Sequence, residues 1–85
     1  MASQQEFSAT VMVRLKNGVL DPQGKAIEGA LDSLGFEGVK QVQQGKTFHV
    51  ALEASSKKNA QEIVEAMCEK LLANTVIEDY TVEVG

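Results

Sequence analysis

Two hydrophobic periods alternate along this chain, and their order leaves few folds open. From Phe7 to Leu15 apolar and polar residues alternate. Phe7, Ala9, Val11, Val13 and Leu15 face one way, and Ser8, Thr10, Met12, Arg14 and Lys16 the other. That spacing reads as a half-buried strand, because successive side chains of a strand point to opposite faces. From Ile27 the spacing changes: Ile27, Ala30, Leu31 and Leu34 recur at i, i+3, i+4 and i+7, one stripe of a helix. Between the two lies Leu15-Lys16-Asn17-Gly18-Val19-Leu20-Asp21-Pro22-Gln23-Gly24. Asn17-Gly18 suits a two-residue hairpin turn, but Asp21-Pro22 would stop a returning strand after two residues. The better reading is a loop into a helix, with Asp21 as N-cap and Pro22 at the first helical position, where its missing N–H costs nothing. Gly35 ends the helix as a left-handed residue.

Val39 to Gln44 reads as an irregular or edge strand with a bulge, because Val39 and Val42 do not share a strand face. Gln44-Gly45-Lys46 reads as a tight turn. Phe48, Val50, Leu52 and Ala54 then alternate with Thr47, His49, Ala51 and Glu53 as a third strand. Ser55 or Ser56 caps a second helix over about 57–73. Its stripe is Ala60, Ile63, Val64, Met67 and Leu71, with Cys68 and Leu72 on the flank and Asn74 as C′ residue. Tyr80, Val82 and Val84 close the chain as a last strand, while Met1 to Glu6 carry no pattern and read as a frayed start. The order βαββαβ predicts an α+β, ferredoxin-like single domain over 1–85: a four-stranded antiparallel sheet with both helices on one face. The other face would carry Thr10, Met12, Arg14, His49, Ala51, Thr81 and Glu83, open to water or to a second copy. With 85 residues the core is thin, and oligomerisation would help it.

Chemistry is sparse. The net charge of −4, one Tyr, three Phe and no Trp argue against a nucleic-acid module, which needs a basic patch and stacking rings. No apolar run is long enough to span a membrane, and a single cysteine fits a reducing, cytoplasmic setting. His49, the one histidine, lacks a nucleophile to activate, since Cys68 belongs to a helix on the opposite sheet face. No spacing of Cys, His or carboxylates suggests a metal site. Glu62, Glu65 and Glu69 read as the solvated side of the second helix. The loop from Gly18 to Gly24 matches no phosphate-binding motif, and Asp21 at the cap would repel an anion. Arg14, the lone arginine, is placed to pair with Glu53 or Glu83.

The segment from Leu15 to Ile27 closely resembles the signature of the PurS family, the small subunits of phosphoribosylformylglycinamidine synthase. Gly45-Lys46 is similar to the family's glycine-lysine turn. Met67-Cys68-Glu69-Lys70-Leu71-Leu72-Ala73-Asn74 with Val76-Ile77-Glu78 resembles its other marked segment. Thr75 stands where the family often has proline, and Gln43-Gln44 where it often has an arginine nearby. The resemblance implies a chain without catalytic residues, bridging a glutaminase subunit (PurQ) and a synthetase subunit (PurL) in purine biosynthesis and supporting ammonia transfer. It implies a homodimer or homotetramer, with ATP and Mg used by the complex and no cofactor in this chain. Lys16, Gly18, Asp21, Gly24, Gly45, Lys46, Leu72, Asn74 and Glu78 are then the expected partner-facing residues. The alternative is an ACT-like regulatory domain, which shares the element order and would bind an amino acid.

Overall fold

A computed structural model describes residues 4–85. Met1–Ser3 of the expected frayed start lie outside these residues. Gln5 and Glu6 correct that expectation, for they already sit in the first strand, in register with Ala54 and Glu53. The elements are β1 (Gln5–Leu15), α1 (Pro22–Ser33), β2 (Gly45–Ala54), α2 (Lys57–Met67), a π-helical turn (Cys68–Leu72) and β3 (Glu78–Val84). The sheet order is β2-β1-β3, with both outer strands antiparallel to β1.

The α+β class stands, but the sheet has three strands where four were expected. Residues 36–44 form no regular element. Val39 and Val42, three apart, would face opposite sides of a strand, and Gly38 takes φ +88°, outside strand conformation. The expected turn at Gln44-Gly45-Lys46 is absent as well, because Gly45 and Lys46 open β2 opposite Arg14 and Val13.

Ala9, Val11 and Val13 of β1 form the floor of the core, closed by Ala54, Ala60, Val64, Cys68, Ala73 and Val84. Capping fixes where α2 starts. Ser56 Oγ accepts from the Asn59 N–H at 3.0 Å, and Asn59 Oδ1 accepts from the Ser55 N–H at 3.1 Å. Its far end departs from expectation. The Ala73 N–H donates to the Cys68 carbonyl, an i→i+5 bond of 3.0 Å. That wider turn rotates the stripe, burying Cys68 completely and leaving Leu71 83% exposed. Asn74 is not left-handed, since no non-glycine residue described has positive φ.

Helix α1 forms where its periodicity places it, and ends in a Schellman motif. Gly35 has φ +93°, its N–H donates to Asp32 O, and the Phe36 N–H donates to Leu31 O. It does not lie on the sheet as expected. It makes at most marginal contact with the strands and α2, and Leu34 is 74% exposed. Residues 16–44 thus project as an arm. The molecule measures 60 × 25 × 15 Å with a radius of gyration of 17.1 Å, against about 12 Å for a compact chain of this length.

Candidate functional site

One end of the sheet gathers most of the residues the sequence singles out. There β1 ends and β2 and β3 begin, with Arg14 beside both Gly45 and Asp79 and Leu15 beside Glu78. Arg14 therefore stands away from Glu53 and Glu83, its expected partners, which oppose Glu6 and Thr10. Lys46 and Tyr80 flank Val13 on the helix-bearing face. Lys46 Nζ lies 3.7 Å from Glu78 Oε2, with the lysine side chain 60% exposed and the glutamate 12%. Glu78 Oε1 accepts from the Asn74 N–H at 2.7 Å. The Asn74 side chain accepts from the Val76 N–H, and its carbonyl from Ile77 and Glu78. The Lys16 N–H donates to Ile77 O at 2.8 Å, tying this loop to the end of β1. Lys16, Lys46, Glu69, Glu78 and Tyr80 border one cleft beside the sheet end.

Gly45 is required here by close approach. A Cβ on it would come within 2.6 Å of the Val13 carbonyl oxygen. Gly18 serves the Lys16–Val19 turn instead, at φ +85°. Asn17-Gly18 is thus a turn, but one that leads into the arm. Leu72 is half buried against the core and apart from this cleft.

Asp21 and Gly24 form a second group at the base of the arm. Asp21 Oδ1 accepts from the Gly24 N–H at 2.9 Å, the expected cap, and Oδ2 accepts from the Gln44 N–H at 2.8 Å. These donors, Gln44 first, hold the Asp21 carboxyl below its ordinary range. Both N–H groups are occupied by this carboxylate, so the loop offers them to no outside anion. Glu28 Oε2 accepts from the Val42 N–H at 2.9 Å and its other oxygen lies 3.6 Å from Lys25 Nζ. Sequence reasoning missed Glu28, though it stands one turn after Gly24 on the same helix flank. It also missed Tyr80, whose hydroxyl donates to Glu69 Oε2 at 2.7 Å. That bond, with burial and nearby charge, pushes the Tyr80 hydroxyl up to about 12. Burial and then Glu65 and Glu69 raise the Cys68 thiol, which keeps it protonated and inert.

Among the described residues no group of three or more His, Cys, Asp or Glu is arranged to hold a metal ion. No described helix is long and apolar enough to cross a membrane. The residues present can hold loops in place, pair charges and present apolar surface.

Comparison with known proteins bears on what that surface serves. Residues 8–85 match the family model described as PurS, phosphoribosylformylglycinamidine (FGAM) synthase. The chain is 47% identical to the phosphoribosylformylglycinamidine synthase subunit PurS of Methanocaldococcus jannaschii, covering 92% of this chain and 94% of that one. It is also 47% identical to the Bacillus subtilis subunit, covering 92% of each. A solved structure of Bacillus subtilis PurS superposes with a TM-score of 0.84 at 47% identity, covering 93% of this chain and 98% of that chain. A chain in the structure of PurLQS from Thermotoga maritima superposes with a TM-score of 0.87 at 38% identity, covering 95% and 99%.

Proposed function

The chain belongs to the PurS family of FGAM synthase subunits, and on that footing we propose that it is the bridging subunit of such a synthase. It works in the cytoplasm in purine biosynthesis, contributes no catalytic residue, holds PurQ and PurL together and supports passage of ammonia from one to the other. ATP and Mg are used by the complex and not by this chain. The likeness to a chain of a PurLQS assembly supports this reading.

The observation that carries it is the arm. A helix with an apolar stripe, ending in Leu34 and followed by exposed Phe36 and Val39, stands away from the sheet of its own chain. A stripe of that kind is stable in water when another molecule covers it. A second copy is the first occupant, giving a homodimer or, by repetition, a homotetramer. The cleft at the sheet end, with Lys16, Lys46, Asn74 and Glu78 at its border or in its supporting loop, is the surface for the larger partners. Gly45 lets β2 start close beside it, Gly18, Asp21 and Gly24 shape the loops at the base of the arm, and Leu72 holds the helix end against the core.

The test is reconstitution. Glutamine-dependent product formation by PurQ and PurL is measured with and without this chain. Activity that depends on the chain is expected, while ammonia-dependent synthesis by PurL needs it less. Equal glutamine-dependent rates in both mixtures would overturn the assignment.

A further inference from the structure

The geometry points to a clamp at the root of the arm, formed by Asp21, Gly24 and Glu28, that fixes the direction in which the arm leaves the sheet. Residues 16–44 depart from the end of β1 and return to the start of β2, and those two ends are hydrogen-bonded neighbours. With α1 making at most marginal contact with the sheet and α2, an arm on two covalent roots would sweep freely unless its legs were joined. They are joined three times close to the root. Asp21 Oδ2 holds Gln44, Glu28 Oε2 holds Val42, and Gly24 lies so near the returning leg that an added Cβ would overlap the Val42 carbonyl oxygen. Two short hydrogen-bonded crossings and one backbone contact turn two flexible legs into a closed frame.

Asp21 is a positioning residue with two tasks, and they are separable. Capping needs a single acceptor, which Ser, Thr and Asn also supply. A bridge needs a second acceptor aimed at the other leg, and of the capping side chains only a carboxylate has two equivalent oxygens. In Asn the second position is an amide donor facing the Gln44 N–H, and in Ser it is missing. Gly24, read from sequence as a possible partner surface, is here the point where the legs touch.

The frame matters for assembly because it sets where the stripe of Ile27, Leu31 and Leu34 is presented. That second step rests on the proposed self-association and is read out separately. Glu37→Cys on the arm and Ala51→Cys on the outer sheet face, at two exposed positions, carry a pair of spin labels. The labelled chain is diluted into a large excess of unlabelled chain, so that only distances within one chain are seen. The chain with Asp21 is expected to give one narrow distance distribution. Asp21→Ser and Asp21→Asn are expected to keep the helical far-UV dichroism, since each still caps, while the distribution broadens. A narrow, unmoved distribution in both variants overturns the clamp. By sedimentation, the dissociation constant for self-association is expected to rise about tenfold in Asp21→Ser, the loss of one charge-assisted hydrogen bond. A broadened distribution with unchanged self-association supports the clamp and overturns its part in assembly. If the unsubstituted chain does not self-associate at all, the homo-oligomer falls while the distance test of the clamp stands.

Discussion

Lys46 shows how one residue joins the fold to the proposed assembly. Its charge meets Glu78, which in turn holds the Asn74 loop. The pair is largely open to water on the lysine side, so it contributes at most about 1 kcal/mol to stability. Lys46→Glu would set two carboxylates side by side on the cleft. The variant is expected to remain folded by circular dichroism and to lose glutamine-dependent activity in the reconstituted mixture; retained activity would remove Lys46 from the contact surface. At Asp21 the sign of the pH effect follows from the direction of its shift. Its carboxyl titrates below the ordinary value of 3.8 in the folded chain, so its stabilisation is present above that value and is lost as pH falls through the lower, folded value. The stability difference between the chain and Asp21→Asn, followed by urea unfolding, is expected to be constant near neutrality and to shrink in acid. Tyr80 behaves in the opposite sense. Its hydroxyl is raised from 10.0 to about 12, so the folded chain keeps a proton that the unfolded chain gives up. The stabilisation is whole below 10.0 and declines as pH rises toward about 12. Spectrophotometric titration of the phenol should show Glu69→Gln bringing Tyr80 back toward 10.0.

Among the elements, what the sequence revealed depended on whether a pattern meets its own chain. β1 was legible from Phe7 to Leu15 because each of Ala9, Val11 and Val13 is buried beneath the chain's own residues, while Gln5 and Glu6, exposed and without a pattern, were not. Helix α1 was equally legible as a helix, from the Asp21-Pro22 start to the Gly35 stop, yet its place was not. An apolar stripe states that it will be covered and not by what. The π-helical turn escaped because Cys68 and Leu71 both satisfy a helical spacing, and only the i→i+5 bond decides which goes inside. The two helices should therefore respond differently to substitution. Val64→Ala removes methyl groups from a fully buried position and is expected to cost about 2 kcal/mol in urea unfolding. Ile27→Ser with Leu34→Ser changes exposed positions, so the far-UV dichroism is expected to persist while the mass by light scattering drops to that of one chain. An undiminished mass would show that another surface holds the copies together. Of the expected site, the Asp21 cap was legible from its place before Pro22, whereas the close approach of Gly24 to Val42 was not. The crossings from Glu28 and Asp21 to residues 42 and 44 were not, because backbone N–H groups leave no mark in a sequence.

At the scale of the whole molecule, one sheet end carries the cleft, the arm and the loop of Asn74 together, and the rest is a thin core beneath α2. The division between arm and core has a further meaning, one of modularity. Because the arm leaves and re-enters between neighbours whose pairing already runs from Gln5–Ala54 to Arg14–Gly45, nothing in the sheet register depends on the arm's length. Joining Leu15 to Gln44 by a two-residue Asn-Gly turn would close β1 and β2 into an ordinary hairpin. The shortened chain keeps every residue of the buried core, all of which lie outside 16–44. The arm is in this sense an insert whose length the sheet register does not constrain, carried by a body whose core is complete without it.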